Sequence, residues 1–117
     1  MVDFLGQELK AGDLVVIKIP YGQDLALGRV KKVNSSSVSV YYIPNYTMAN
    51  ATTTDKELLV DTLLSPEFSG EEVLKLHNNY GNEYNFSYNK TTRTLYTVVK
   101  ITKKQAENFV DRWLSFE

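Results

Sequence analysis

The stretch AGDLVVIKIPYGQDLALGRVKKV, residues 11–33, decides the fold. Gly12 and Asp13 are turn residues, because glycine tolerates a positive φ and aspartate can bond its own backbone. A short run rich in β-branched residues follows, and Pro20 ends it because proline has no N–H to donate to a strand ladder. A second apolar run begins after the intervening loop and contains Gly28, which indicates a bulge or a close backbone approach. The stretch therefore predicts two neighbouring strands of a small, bent sheet.

The sequence that follows this stretch extends the predicted sheet. Val38, Val40 and Tyr42 alternate with other residues and mark a third strand, and a short apolar run bounded by acids marks a further one. Strands of this length with turns between them close most readily into a five-stranded SH3-like barrel. The predicted strands cover residues 14–19, 25–33, 38–43 and 56–60, within a barrel over residues 1–62.

The second half, residues 63–117, is predicted to form a helix, a β-hairpin and a second helix that pack on the barrel, giving an α+β fold. Ser69 and Glu72 have the spacing of a capping box, in which two side chains bond the first N–H groups of a helix. Alternating aromatics at residues 84–88 and a return run at residues 93–101 predict the hairpin. The second half is either a separate domain or one compact unit with the barrel.

Thr102 and Gln105 repeat the capping-box spacing before the last helix. The apolar residues behind them recur at helical spacing and form one face of that helix. They are Ala106, Phe109, Val110, Trp113 and Leu114. Residues 45–55, rich in asparagine and threonine, are expected to be flexible.

The amino-acid composition and motifs exclude several kinds of functional site. The chain has no cysteine and a single histidine, so disulfides and thiolate metal sites are excluded and a catalytic triad or zinc site lacks partners. The glycines match no phosphate-binding loop, and no stretch approaches the roughly 20 apolar residues of a membrane-spanning helix. We therefore expect a cytoplasmic protein that is not an enzyme and that holds no metal or cofactor.

The candidate contact residues are basic and aromatic. Arg29, Lys31 and Lys32 form the one tight basic group in the predicted barrel, and they are either a phosphate-binding patch or the solvated face of a small sheet. The eight tyrosines cannot all be buried with a partner for each hydroxyl. Those best placed to contact a partner, with polar neighbours in the first predicted loop, are Tyr21, Gln23, Asp24, Tyr41 and Tyr46.

Three motifs carry a resemblance to known families, and they read Gly12-Asp13-x-Val15-x-Ile17, Gly28-x-Val30-x-x-Val33 and, at the start, Asp3-Phe4-x-Gly6-x-Glu8-Leu9-x-x-Gly12-Asp13. The first two together resemble the KOW-type repeat of SH3-like barrels in ribosomal proteins and transcription elongation factors. The opening is similar to the start of many small accessory proteins of large tailed phages. The resemblance covers roughly residues 3–43, and it implies a barrel whose loops form the binding surface.

These observations together lead us to expect a binding protein of phage type. It would modulate a host protein through protein–protein contacts, in host takeover or counter-defence, within the host cytoplasm and away from membranes. A KOW-like protein that binds DNA or RNA is the alternative, although the pI of 5.8 is low for a polyanion binder. A structural virion component, which would self-associate, is the second alternative. The oligomeric state stays open.

Overall fold

The computed structural model describes residues 2–3, 5–19, 25–78, 80–94 and 97–115, without the side chains of residues 49, 109–110 and 112–115. The strands are β1 (Leu14–Lys18), β2 (Leu25–Val33), β3 (Ser37–Tyr42), β4 (Val73–His77), β5 (Glu83–Ser87), β6 (Asn89–Thr94) and β7 (Val98–Lys100). The helices are α1 (Asn45–Asn50), α2 (Thr53–Leu64) and α3 (Lys103–Ser115). None of these helices is long and apolar enough to cross a membrane. The fold is α+β.

The larger sheet has five strands in the order β6-β3-β2-β1-β7, and every ladder in it is antiparallel. The first three predicted strands are confirmed as β1, β2 and β3. Gly28 is a point of close approach, because a Cβ added there would lie 2.7 Å from a methyl carbon of Val40. The bulge lies farther along β2, where the register shifts between Val30 and Lys32.

One face of this sheet encloses an inner core. Its buried residues are Leu9, Val15, Ile17, Ala26, Val30, Val38, Val40, Tyr42 and Val98. Every one of them except Leu9 belongs to the sheet itself, and Val15, Ile17 and Val38 are completely buried. A flat sheet would leave such a face in water, so the strands must curl over it. Within the described residues no ladder joins the edge strands β6 and β7, and the sheet is curled without being closed into a barrel.

The other face of the sheet supports an outer core. This core combines Leu27, Tyr41 and Ile43 of the sheet region with residues of all three helices and of the β4–β5 hairpin. The added residues are Met48, Ala51, Leu59, Val60, Leu63, Leu76, Phe86, Tyr88 and Ala106. The hydroxyl of Tyr88 donates a hydrogen bond of 2.5 Å to the carbonyl of Leu59, and burial raises the pKa of Tyr88. The insert between β3 and β6 therefore covers the outer face.

The predicted strand at residues 56–60 is wrong, because these residues lie inside α2. Thr52 caps the helix, since its hydroxyl accepts a hydrogen bond from the Asp55 N–H at 3.1 Å. Leu59 and Leu63 are both completely buried, one helical turn apart. Residues 45–55 contain α1 and the first turn of α2, and their expected flexibility stays a prediction.

The helix predicted after Ser69 is wrong as well. One of the two expected bonds does form, because Glu72 accepts a hydrogen bond from the Ser69 N–H at 2.8 Å, and Glu72 also accepts from the Gly70 N–H at 2.9 Å. The Ser69 hydroxyl accepts from the Glu71 N–H at 3.3 Å, not from the Glu72 N–H. These bonds close a turn at Gly70, whose φ is +88°, and the extended strand β4 follows. Burial acts to raise the pKa of Glu72, but the N–H groups of Ser69, Glu72 and Gly70 and the Ser69 hydroxyl outweigh it and lower that pKa.

The predicted hairpin of residues 84–88 with 93–101 is wrong in its pairing. β5 pairs with β4, whereas β6 pairs with β3 and β7 pairs with β1. The second half of the chain thus supplies both edges of the larger sheet.

The last helix and its cap are confirmed as α3. The Thr102 N–H donates to the Gln105 side chain at 2.8 Å, and the Gln105 N–H donates to the Thr102 hydroxyl at 3.1 Å. Ala106 is buried in the outer core. The remaining side chains of the predicted apolar face, those of Phe109, Val110, Trp113 and Leu114, lie outside the described part.

The N-terminal turn covers the outer edge of β7. The buried carboxylate of Asp3 accepts hydrogen bonds from the N–H groups of Leu5 at 2.9 Å, Gln7 at 2.8 Å and Lys100 at 2.6 Å. Burial alone would raise the pKa of Asp3, but these donors outweigh it and hold that pKa below its ordinary value. The ionised carboxylate is therefore the form that fastens the N-terminus to the sheet.

Asp3→Asn should destabilise the protein at neutral pH by about 1–3 kcal/mol, because a charge-assisted acceptor is replaced by a neutral amide. The lowered pKa means that this contribution is complete above the ordinary value of 3.8 and fades as the pH falls below it. Urea unfolding at several pH values should show the gap to wild type narrowing in acid. The control is Asp111→Asn on exposed α3, and a gap for Asp3→Asn that stayed constant with pH would contradict the assignment.

Gly70→Ala should be more damaging than Gly12→Ala. Both glycines have a positive φ, +88° and +93°, so both variants share the backbone strain. A Cβ at Gly70 would overlap the ring of Tyr41, whereas a Cβ at Gly12 would meet nothing within 4 Å. Thermal or urea unfolding should show an extra loss of about 1–3 kcal/mol at Gly70, as for an overpacked core. Equal losses would mean that the turn does not rest on the Tyr41 ring.

Candidate functional site

The candidate contact residues from the sequence have separate positions. Tyr21, Gln23 and Asp24 lie outside the described residues. Arg29, Lys31 and Lys32 belong to β2, Tyr41 to β3 and Tyr46 to α1. The structure brings Arg29 and Lys31 to Tyr41, because Arg29 pairs with Tyr41 across the β2–β3 ladder and the Lys31 ammonium lies 5.6 Å from the Tyr41 ring centre. Tyr46 lines a different surface.

Arg29 is directed at backbone carbonyls. Its Nε donates to the Gly12 carbonyl at 2.9 Å, and its Nη1 donates to the carbonyls of Leu63, at 2.9 Å, and Ser65. The guanidinium carbon also lies 5.5 Å from the centre of the Phe68 ring. A cation bound at the C-terminal end of a helix is favoured by the exposed carbonyls and the helix dipole. Arg29 therefore ties β2 to the end of α2.

Tyr41 is a buried residue held between two lysines. Only 3% of it is exposed, and Phe68 meets its ring edge-on at 5.8 Å between centres. The ammonium groups of Lys31 and Lys90 lie 5.6 and 5.5 Å from the ring centre. Lys90 is also 3.9 Å from the carboxylate of Glu71. The Tyr41 ring is thus covered, while Lys31 and Lys32 remain exposed.

Tyr46 lines a cavity of about 420 Å³ with two other tyrosines, Tyr80 and Tyr84. Tyr46 is 67% exposed and Tyr80 is 89% exposed, while Tyr84 is half-buried against the outer core. The remaining lining residues are polar, and they are Thr47, Asn50 and Asn78. We call this cavity the tyrosine groove.

Local hydrogen bonds hold the two sides of the groove. On one side, α1 is anchored by the buried Met48 and by the Asn45 amide, which donates to the Leu25 carbonyl at 3.2 Å. On the other side, the Asn78 side chain accepts hydrogen bonds from the N–H groups of Tyr80 at 2.9 Å and Asn82 at 3.0 Å. Such an Asx turn orients the backbone that carries Tyr80.

Carboxylates dominate the charge beside the groove. Asp55, buried in the first turn of α2, accepts a hydrogen bond from the His77 N–H at 2.8 Å. The His77 ring lies 3.6 Å from Asp55 and 3.5 Å from Glu83, measured between nitrogen and oxygen. Burial, the charge of Asp55 and the neighbouring Tyr46 raise the pKa of Tyr84. The Asp55 carboxylate therefore acts electrostatically on the floor of the groove.

The described lining of the groove combines aromatic rings with polar side chains. No group of three or more His, Asp or Glu side chains in the described part of the chain could hold a metal ion. Tyrosine rings offer large apolar faces with a polar hydroxyl at one end, and the asparagine amides of the lining add polar groups that are hydrogen-bonded within the chain. This arrangement suits recognition of a side chain or a short peptide segment.

A second cavity, of about 340 Å³, lies between α2 and α3. Its charged lining consists of Lys103 and four acids, which are Glu57, Asp61, Glu107 and Asp111. We call it the acidic cleft. It accounts for part of the negative charge of residues 45–72, which carry six acids and one lysine.

The sequence predicted Tyr46 as a contact residue and missed its partners in the groove. Tyr80 and Asn78 lie in a turn, and a turn-forming signal was present in the asparagines around Gly81. Once residues 73–77 are assigned to a helix, however, that signal marks only the end of the helix. The actual β4–β5 hairpin turns Tyr80 and Tyr84 toward α1.

Arg29→Lys should destabilise the protein by about 1.5–3 kcal/mol, because a lysine cannot reach carbonyls on both sides as the guanidinium fork does. Lys32→Ala on the same strand, with an exposed side chain, should change the unfolding free energy by less than about 0.5 kcal/mol. Urea unfolding of both variants is the measurement. Full stability of Arg29→Lys would show that the contacts with Leu63 and Ser65 contribute little.

Comparison with known proteins identifies one family whose model matches the chain. The family model described as a domain of unknown function (DUF7205) matches residues 1–62, which is more than half of the chain. These residues include β1, β2, β3, α1 and most of α2. No curated protein and no solved structure matches the chain.

Proposed function

The chain belongs to the DUF7205 family, and we propose that this member acts, without catalysis, by binding another protein at the tyrosine groove. One observation carries the proposal. Among the described residues, the two most exposed large apolar side chains, Tyr80 and Tyr46, line the same cavity. Tyrosine is enriched in protein–protein interfaces, where its ring is buried and its hydroxyl is bonded.

The structure around the groove supports a preformed site. Asn78 fixes the turn that carries Tyr80, and Met48 fixes the helix that carries Tyr46. Tyr84 lies on β5 opposite Leu76, which is completely buried. Because both sides are attached to the outer core, little ordering entropy is lost when a partner binds.

We also propose that the larger sheet is an SH3-like barrel of KOW type. The strands β1, β2, β3 and β6 follow one another in the sheet, and the last strand, β7, pairs with the first. In this order β6 and β7 are the two edge strands, and a ladder between them would close the sheet into a five-stranded barrel. The inner core supports this proposal, because it draws almost entirely on the sheet itself. An experimental structure with a β6–β7 ladder would test it.

Charge favours a protein over a nucleic acid as the partner. In the described part of the chain, no lysine or arginine lines the tyrosine groove, and the charge of Asp55 acts on Tyr84 of the lining. The predicted basic group also has fewer side chains for contact with phosphates, because Arg29 donates to three backbone carbonyls. Lys31 and Lys32 alone would release few counterions from a polyanion, so binding would be weak and only slightly salt-dependent.

The wider role that we propose is the modulation of a host protein by a small accessory protein of phage type. It rests on the similarity of residues 3–13 to the start of such proteins and on the exposed tyrosines. A KOW-like role on DNA or RNA is the alternative. Binding of mixed-sequence DNA or RNA that fell steeply with salt, and that Lys31→Glu and Lys32→Glu abolished, would favour the alternative.

Selection of a random peptide library against the wild-type protein tests the groove directly. The selected peptides are expected to bind the Tyr46→Ala/Tyr80→Ala double variant at least about 10-fold more weakly, as expected when aromatic interface anchors are removed. Leu5→Ala is the matched control, because Leu5 is 64% exposed and is not part of the groove. Peptides that bind the double variant as tightly as the wild type, or a selection that enriches none, would reject the proposal.

A further inference from the structure

We propose that the tyrosine groove selects a cationic side chain, the ammonium of a lysine or the guanidinium of an arginine on the partner protein. This inference rests on the proposed function and specifies its chemistry. It starts from the three tyrosines, Tyr46, Tyr80 and Tyr84, that line one small cavity, and from the buried carboxylate of Asp55, which is bonded to the His77 N–H next to that lining.

The rings supply the first attraction. The face of a tyrosine ring carries negative electrostatic potential, so a cation within about 6 Å of the ring centre is attracted. Tyr46 and Tyr80 are largely exposed, which leaves ring surface available to a ligand. The chain already shows this type of contact elsewhere, because Lys31 and Lys90 lie within 5.6 Å of the Tyr41 ring centre.

The carboxylates supply the second attraction. Asp55 is buried, so its charge is weakly screened by water, and it accepts a hydrogen bond from the N–H of His77, the residue before Asn78 of the lining. Its charge also contributes to the raised pKa of Tyr84. Glu83 is outside the lining and exposed, so its carboxylate, 3.5 Å from the His77 ring, adds only a screened negative charge. Among the described residues, the lining contains no lysine or arginine that would compete with a ligand. A neutral apolar ligand would use the rings but would gain nothing from these charges.

The polar lining completes the recognition. A lysine or arginine head must keep its hydrogen bonds when it leaves water, and the tyrosine hydroxyls and the oxygen of Thr47 are acceptors within the lining. The long apolar stem of either side chain would lie along the rings while the charged head stays hydrated on one side. An acidic ligand would be repelled by Asp55 and Glu83.

Blocked pentapeptides test the charge requirement. One carries a single central lysine between glycines, a second carries arginine, and a third carries norleucine, which has a similar stem and no charge. Each is titrated into the 15N-labelled full chain, with the backbone amide signals of Asn50, Tyr80 and Tyr84 as reporters. The lysine and arginine peptides should bind about 3- to 30-fold more tightly than the norleucine peptide, the range expected for a cation–π contact.

Two substitutions at Tyr80 separate the effect of its aromatic face from the effect of its apolar area. Tyr80→Phe keeps an aromatic face and should retain cation affinity within about 3-fold, whereas Tyr80→Leu keeps apolar area without that face and should lose more. Val73→Ala is the control, because Val73 is 61% exposed on the same hairpin and does not line the groove. Its affinity for the lysine peptide should match that of the wild type.

The outcomes distinguish this inference from the proposed function. Equal affinities for lysine and norleucine peptides would overturn the cation preference, and so would cation-dependent shifts confined to the acidic cleft. If the library-selected peptides bind at the groove while the cationic probes do not, the inference fails and the proposed function stands. If neither the selected peptides nor the probes shift the groove signals, both fail.

Discussion

The outer face of the larger sheet has to be covered, and the rest of the molecule depends on that constraint. Leu27 and Tyr41 project from this face, and each large apolar side chain left in water would cost about 1.5–3 kcal/mol. The insert between β3 and β6 supplies the cover through α1, α2 and the β4–β5 hairpin. Arg29 reinforces the connection, because it reaches from β2 to the carbonyl end of α2.

The candidate site follows from this cover. Once α1 and the hairpin are packed against the same core, their solvent-facing residues become neighbours. Tyr46 and Tyr80 come together in this way, and Tyr84 extends from the core to the floor of the groove. Asp55 occupies the first turn of α2 and accepts the His77 N–H, so the helix and the hairpin are linked by the same carboxylate that influences Tyr84. Asp55 therefore both links α2 to the β4–β5 hairpin and contributes negative charge near Tyr84.

The sequence predictions were wrong where the same local pattern occurs in two kinds of secondary structure. Glu72 bonds the Ser69 N–H as in a capping box, yet these residues close a turn before a strand, because side-chain bonds to nearby N–H groups do not require a helix. Residues 56–60 are a short apolar run, and such a run fits a strand or a buried helix equally well. The capping-box spacing of Thr102 and Gln105 predicted the start of α3 correctly, because apolar residues at helical spacing follow it in the sequence.

By itself, the sequence determined the strands β1, β2 and β3 and the helix α3 with its cap, and it predicted Tyr46 as a contact residue. These features depend on turn residues, alternation and periodicity over a few neighbouring positions. Only the tertiary structure decided that β6 and β7 join the edges of the first sheet, and that Tyr46 meets Tyr80 and Tyr84. The physical reason is that strand pairing and core packing choose among partners far apart in the chain, by the apolar surface that each arrangement buries, and no local pattern records that choice.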